Sequence, residues 1–174
     1  MSTRLRVGVI GCGLIAQVMH LPHLRDLSDR FEIAALCDRD AGLLATVADR
    51  FGVHERYTEW QDLLAKAPLD AVLILTSGDH APMIVAAAGA GLHILVEKPI
   101  SHSTEQATAA LAAVERAGVR LMVGYMKRFD PAYVRLAELV GAQRRDLRSV
   151  QVTTLESLGS PYVAHHGLVA PSPL

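Results

Sequence analysis

The chain has little cysteine. There are two in 174 residues, Cys12 and Cys37, with no C-x-x-C spacing. That excludes a disulfide framework and a thiolate metal knuckle, and it reads as reduced thiols at the ends of two predicted strands. No apolar run approaches the ~20 residues that a helix needs to span a bilayer. The opening residues, Met1 to Arg6, are charged and pass at once into a strand, without the apolar centre of a signal peptide. A cytoplasmic location and no membrane partner are therefore expected. Neither sign of charge is in excess, with 17 basic against 18 acidic residues. No nucleic-acid partner is expected. Several catalytic patterns are also missing. No G-x-S-x-G elbow surrounds Ser77, Asp79 and His80, which argues against a hydrolase triad. No lysine follows the first glycines in the Walker position, which argues against ATP hydrolysis. His20 and His23 are spaced i, i+3, but Pro22 intervenes and no third ligand is evident, so no metal site is expected.

What remains is a chain whose residues are 51% hydrophobic, arranged as short apolar runs that alternate with helical patterns. Leu5–Ile10 is too short for a helix and rich in Val and Ile, so it reads as a buried strand. It breaks into Gly11-x-Gly13-x-x-Ala16, and a helix follows over about 14–27, disturbed at Pro22. Further strands are expected at 31–37, near Tyr57, at 70–75, at 93–96 and at 120–123. Helices are expected at 40–51 with Gly52 as cap, at 58–64 with Thr58 as N-cap, at 81–90, and from Ser103 to Ala117. Strands that alternate with helices in this way specify an α/β fold, a Rossmann-type doubly wound parallel sheet.

In such a sheet ligands bind beyond the carboxyl ends of the strands. The loops gathered there supply the candidate cofactor residues Gly11, Gly13, Leu14, Ile15, Ala16, Asp38, Arg39, Thr76, Ser77, His80, Glu97 and Lys98. Gly11 allows a tight turn out of the strand. Gly13 lets a pyrophosphate approach the backbone, and Ala16 lets the helix lie close on the strand. The helix start offers free N–H groups to phosphate oxygens. Asp38 stands about 20 residues further on, where a carboxylate accepts the ribose hydroxyls and repels a 2′-phosphate. NAD is therefore the expected cofactor. Arg39 keeps NADP open, because a guanidinium can reach a 2′-phosphate. Lys98 is the candidate catalytic group, with an ammonium that stabilises developing alkoxide or relays a proton.

These residues, with Ala90-Gly91-Leu92-His93, Glu97-Lys98-Pro99 and Gly124-Tyr125-Met126-Lys127-Arg128-Phe129-Asp130-Pro131, resemble the Gfo/Idh/MocA family over roughly residues 4 to 155. These are the glucose–fructose oxidoreductase and inositol dehydrogenase relatives. The resemblance implies NAD(P)-dependent hydride transfer at a hydroxyl-bearing carbon of a sugar or polyol. Lys98 matches the family lysine that contacts the substrate hydroxyl near the nicotinamide. The family's Thr-Pro-x-x-x-His loop is one residue shorter here, Thr76-Ser77-Gly78-Asp79-His80.

After Val123 the character changes. A polar and aromatic connector leads to a helix over 131–140 and one alternating, β-branched strand over 147–154. The tail from Gly159 has no clear element. The expected division is a nucleotide-binding domain, 1–123, and the partial start of a substrate and oligomerisation domain, 124–174. The resemblance implies an Asp-x-x-x-His motif in that second domain, and none follows Val123. His165 and His166 do not match it, because Pro161 and Tyr162 stand four residues earlier. The expectations are cofactor binding, self-association through the incomplete second part, and slow turnover or none by these residues alone. A non-catalytic dinucleotide-binding remnant is the alternative reading.

Overall fold

Six short segments, five of them mainly apolar, pair side by side in the computed structural model, which describes residues 4–142 together with Arg148, Ser149, Gln151, Thr153, Leu168 and Val169. They are β1 (Leu5–Ile10), β2 (Phe31–Cys37), β3 (Glu55–Tyr57), β4 (Ala71–Ile74), β5 (His93–Val96) and β6 (Leu121–Val123). Their order in the sheet is β3-β2-β1-β4-β5-β6, and every neighbouring pair is parallel. The chain winds outwards from β1 in one direction and from β4 in the other. The switch point therefore lies between β1 and β4, where a crevice opens at the carboxyl ends.

Side chains alternate across each strand, so each face of the sheet has its own core. On one face Ile10, Ile74, Val96 and Val72 pack beneath α4 (Ala81–Gly89) and α5 (Thr104–Ala117). On the other Val7, Val9, Leu36 and Leu73 pack beneath α1 (Leu21–Asp26) and α2 (Ala41–Phe51). That second cover stops short of the β6 edge, where Met122 is 47% exposed. The helix ends follow side-chain chemistry. Asp40 accepts bonds from the N–H groups of Gly42 and Leu43 at the start of α2, and Ser103 accepts one from Gln106 at the start of α5. Gly52 and Gly118 close the same two helices in the left-handed conformation.

The helix after the glycine turn is disturbed just before Pro22, as expected: it widens into a π-helical turn over Ala16–His20, and Leu21 N–H bonds to the Ala16 carbonyl. Proline thereby enters at the first turn of α1, where a missing N–H costs nothing. One expectation needs correction: Thr58 is not a helix cap. α3 spans Trp60–Lys66, and Glu59 stands at its N-cap in an extended conformation without a side-chain bond. Past β6 a 3₁₀ turn (Met126–Phe129) leads to α6 (Pro131–Ala142), which buries no residue. Of the strand expected over 147–154 only Arg148, Ser149, Gln151 and Thr153 are described. His165 and His166 lie outside the described residues.

Both cysteines are core residues, with Cys12 0% and Cys37 3% exposed. Burial pushes each thiol from an ordinary 9.0 to about 12, reinforced by the nearby Asp38 charge and, for Cys12, by Cys37.

This packing generates three predictions. Ile84 of α4 is fully buried between helix and sheet. Ile84→Ala should lower unfolding stability by about 2–5 kcal/mol in urea denaturation; a loss under ~1 kcal/mol would contradict the packing. Raised thiol values mean that the folded chain keeps protons that the unfolded chain releases. The thiol contribution is thus fully present below about pH 9 and is lost as pH rises towards 12. Stability should fall over that window, and the fall should flatten in a Cys12→Ala, Cys37→Ala variant. Iodoacetamide at pH 8 should label neither thiol in the native chain and both in urea, read by mass spectrometry.

Candidate functional site

The β1 exit sets the geometry. Gly11 N–H donates to the Cys37 carbonyl at 2.8 Å, so the turn starts on the β1–β2 ladder. Gly11 has φ +101°, and a Cβ there would lie 2.9 Å from the Leu75 carbonyl carbon and 3.0 Å from Thr76 N. Only glycine fits, for conformation and for space alike. Gly13 differs: a Cβ there would meet no atom within 4 Å. The space in front of Gly13 is open, as a phosphate-approach position requires. Leu14 is 44% exposed at the helix start, Ile15 is half-buried, and Ala16 is 0% exposed against the sheet.

Asp38 is built into this turn. Its Oδ2 accepts the Cys12 N–H at 2.8 Å, and its Oδ1 accepts the Asp40 N–H at 2.9 Å. The carboxylate links the end of β2 to the glycine turn, and each oxygen keeps a further lone pair for a ligand hydroxyl. Arg39 beside it is exposed.

Across the switch point the β4 exit carries Thr76, Ser77 and His80. Thr76 Oγ1 is the buried side-chain oxygen that finds no partner among the described residues. An unmatched buried hydroxyl costs on the order of 1–3 kcal/mol. A ligand group that bonds to it would relieve that cost. Ser77 is exposed. His80 is 1% exposed, with Nδ1 2.7 Å from the Pro99 carbonyl and Nε2 2.7 Å from the Thr76 carbonyl. Both nitrogens face main-chain oxygens, so His80 fastens the β4 exit to the β5 exit and has no free nitrogen for a cofactor. The sequence expectation for His80 was a cofactor contact or a cap on its helix; the bonds its ring nitrogens make here are to the two loops. Asp79 caps α4 by accepting the Ala81 N–H at 3.0 Å.

At the β5 exit Glu97 Oε1 lies 3.1 Å from His20 Nε2, with both side chains largely buried. Glu97 Oε2 accepts the Lys98 N–H at 3.2 Å. The Lys98–Pro99 peptide is cis. The Lys98 side chain is exposed and makes no ion pair among the described residues, so its ammonium is available at the carboxyl edge of the sheet. His20 thus belongs with Glu97. Among the described residues no group of three His, Cys, Asp or Glu side chains is placed to hold a metal.

Sequence reasoning did not find three of these connections. The Asp38–Cys12 bond involves a backbone N–H, which has no residue signature. His20 and Glu97 are separated by 77 positions. Gln17, 4% exposed, donates to the Cys12 carbonyl at 3.0 Å from within the turn's own helix. Nothing in helical spacing distinguishes it from a surface glutamine.

The glycine turn, the open space at Gly13 and the carboxylate at the β2 end meet at the carboxyl ends of β1 and β2. Together they fit a dinucleotide. No described helix is long and apolar enough to cross a membrane. The family model described as an oxidoreductase family with an NAD-binding Rossmann fold matches residues 5–125. The chain is 39% identical over 137 residues to D-xylose 1-dehydrogenase (NADP(+)) 2 of Haloferax volcanii, covering 78% of this chain and 42% of that one. It is 34% identical over 142 residues to inositol 2-dehydrogenase of Corynebacterium glutamicum, covering 80% of this chain and 42% of that one. Each alignment thus spans about two fifths of the relative's length. The WlbA dehydrogenase of Bordetella pertussis, solved with NADH and UDP-GlcNAcA, superposes with TM-score 0.76 at 28% identity, covering 82% of this chain and 43% of that one. A scyllo-inositol dehydrogenase of Lactobacillus casei, solved with NAD(H) and scyllo-inositol, gives 0.74 at 25%, over 82% and 42%. The chain belongs to the Gfo/Idh/MocA oxidoreductase family and carries its NAD-binding Rossmann fold.

Proposed function

We propose that residues 1–123 are the cofactor half of an NAD(P)-dependent dehydrogenase of sugars or polyols. The observation that carries this reading is the glycine turn itself: a Cβ at Gly13 would meet nothing within 4 Å, and the Asp38 carboxylate beside it is fixed by the Cys12 N–H. Gly11, Gly13, Leu14, Ile15 and Ala16 hold the pyrophosphate, with first-turn N–H groups that have no intrahelical partner. Asp38 receives the adenosine ribose hydroxyls on its remaining lone pairs. Its carboxylate, anchored by two N–H donors, disfavours a 2′-phosphate, so NAD is preferred over NADP. Arg39 is the opposing influence, and the Haloferax relative is named for NADP(+). Thr76, Ser77 and the Glu97–Lys98 turn flank the nicotinamide end.

When bound, the cofactor supplies the hydride acceptor. The chain's own contribution is to place Lys98 beside the substrate hydroxyl. His20 fixes Glu97, Glu97 holds the Lys98 N–H, and His80 ties Thr76 to Pro99, so the lysine's backbone origin is held from three sides. A lysine ammonium there stabilises alkoxide character as the hydroxyl proton departs. Residues 124–174 open a second domain. α6 buries no residue, and Phe129, Met126 and Tyr125 are 66%, 61% and 49% exposed, which supports a surface made to be covered by further chain or by a second copy.

Calorimetric titration tests the cofactor assignment. Gly13→Val fills the open space and should weaken NAD at least tenfold with thermal stability nearly unchanged, because nothing else lies within reach of its Cβ. Asp38→Asn, which keeps an acceptor oxygen, should weaken NAD about 5- to 30-fold, from hydrogen bonds of about 1–2 kcal/mol. Unchanged affinity in both variants would refute the site, and tighter NADP than NAD would make Arg39 the dominant group.

Activity is tested by NADH formation over a panel of inositols and aldoses. The 174-residue chain should bind cofactor and turn over slowly or not at all, because positioning and general base catalysis supply much of the rate and Lys98 alone offers little of either. Robust turnover that is lost in Lys98→Ala would show that these residues suffice.

A further inference from the structure

Gln17 and His80 are the buried polar side chains within the described core. His80 is explained by the two loops that it joins. Gln17 is not explained by the cofactor site. A buried primary amide carries two donor hydrogens and two acceptor lone pairs, and leaving them unmatched is costly. One donor goes to the Cys12 carbonyl at 3.0 Å. The rest of the amide turns away from the turn, towards a residue 152 positions further on. Gln17 Nε2 donates to the Val169 carbonyl at 2.9 Å, and Gln17 Oε1 accepts the Val169 N–H at 3.0 Å.

That reciprocal pair has the pattern of two residues on adjacent antiparallel strands, which exchange both of their bonds. The glutamine amide stands in for a peptide group and engages main chain alone, so it places no demand on the side chain at 169. The side chain is secured separately. Val169 packs against the apolar cluster on the α1 side of the sheet, which also includes Ile15, Phe31 and Leu95. The same face continues into an open apolar cavity of about 700 Å³, lined by Leu73, Leu95 and Met122 among others. Parallel sheets are ordinarily covered on both faces. The seat at Gln17 therefore lies on the same face of the sheet as that cavity, with Val169 against the shared apolar cluster.

The structure assigns Gln17 as a main-chain docking residue that seats this chain's own segment at Leu168-Val169 on the helix of the glycine turn. The amide carries one bond into the turn at Cys12 and two out to Val169, so Val169 is fastened to the residue between Gly11 and Gly13. This seat is independent of cofactor identity and of catalysis.

The test is amide hydrogen exchange by NMR on the ¹⁵N-labelled full chain without cofactor. The Val169 amide should exchange at least about tenfold more slowly than the same sequence in a free peptide. Gln17→Met keeps the length and apolar stem and removes every polar atom. It should return Val169 to the peptide rate, while the amides of Val9 and Leu73 stay protected and report an intact sheet. Val169→Pro removes the donated N–H without touching the sheet, and it should speed exchange of the Gln17 side-chain amide protons relative to the parent. A Val169 amide at the peptide rate in the parent chain would overturn the assignment. So would protection that survives Gln17→Met, or protection that disappears on dilution, which would assign the seat to a second copy. If Gln17→Met also exposes Val9 and Leu73, the Val169→Pro comparison decides alone, and unchanged Gln17 side-chain exchange overturns the proposal.

Discussion

Gly11 runs against the main chain leaving β4, with no room for a side chain between them. The close approach is a consequence of the strand order. β1 and β4 are neighbours in the sheet, but the chain departs from them in opposite directions. Their exits must separate, and Gly11 stands where they are still in contact, against Leu75 and Thr76. The turn that brings Gly13 and the helix start to the mouth of the crevice pivots on that contact. A side chain at position 11 would push the two exits apart and move both walls of the site together.

Around this pivot the loops are held by side chains that bond to main chain. Asp38 holds the glycine turn to the end of β2, His80 holds the β4 exit to the β5 exit, and Glu97 reaches the glycine helix through His20. Bonds of this kind preorganise a ligand site without filling it, since the groups that face the crevice are left over. Thr76 Oγ1 is buried at the β4 exit and finds no partner among the described residues. A polar atom left unpaired in an otherwise satisfied framework is where a binding site keeps its unmet demand.

The sheet was legible in the sequence because its central strands β1, β2, β4 and β5 are largely buried and read as short apolar runs between helical patterns. β5 and α5 fall where periodicity and capping put them. Local chemistry was less legible wherever a bond partner was distant. Pro22 was expected to disturb its helix, and the helix does widen into a π-helical turn directly before it. Thr58 carries the right chemistry for a cap, yet the helix begins later. His80 carries the right chemistry for a cofactor contact, yet tertiary packing takes both of its nitrogens. Among the candidate residues, the glycines and Asp38 could be placed from spacing because the turn is contiguous. The tie between His20 and Glu97 could not, because it is made only when β1 and β5 come to opposite sides of β4.

Lys98 poses a different question from the glycines. A glycine turn works by backbone shape, and the nucleotide domain supplies all of that shape itself. An ammonium works by its field, and the field is strong only where water is excluded. Lys98 stands exposed at the carboxyl edge of the sheet, in a medium that screens it. Its backbone origin is fixed by Glu97 and by the loops that His80 joins, so what the site lacks for strong electrostatics is cover rather than position. The exposed connector at Tyr125, Met126 and Phe129 leaves β6 within a few residues of Gly124, whose Cβ position lies 3.3 Å from Glu97 Oε1. The chain that continues from this connector therefore starts beside the Lys98 turn, which is the position from which additional structure can dry the lysine without altering the cofactor cleft.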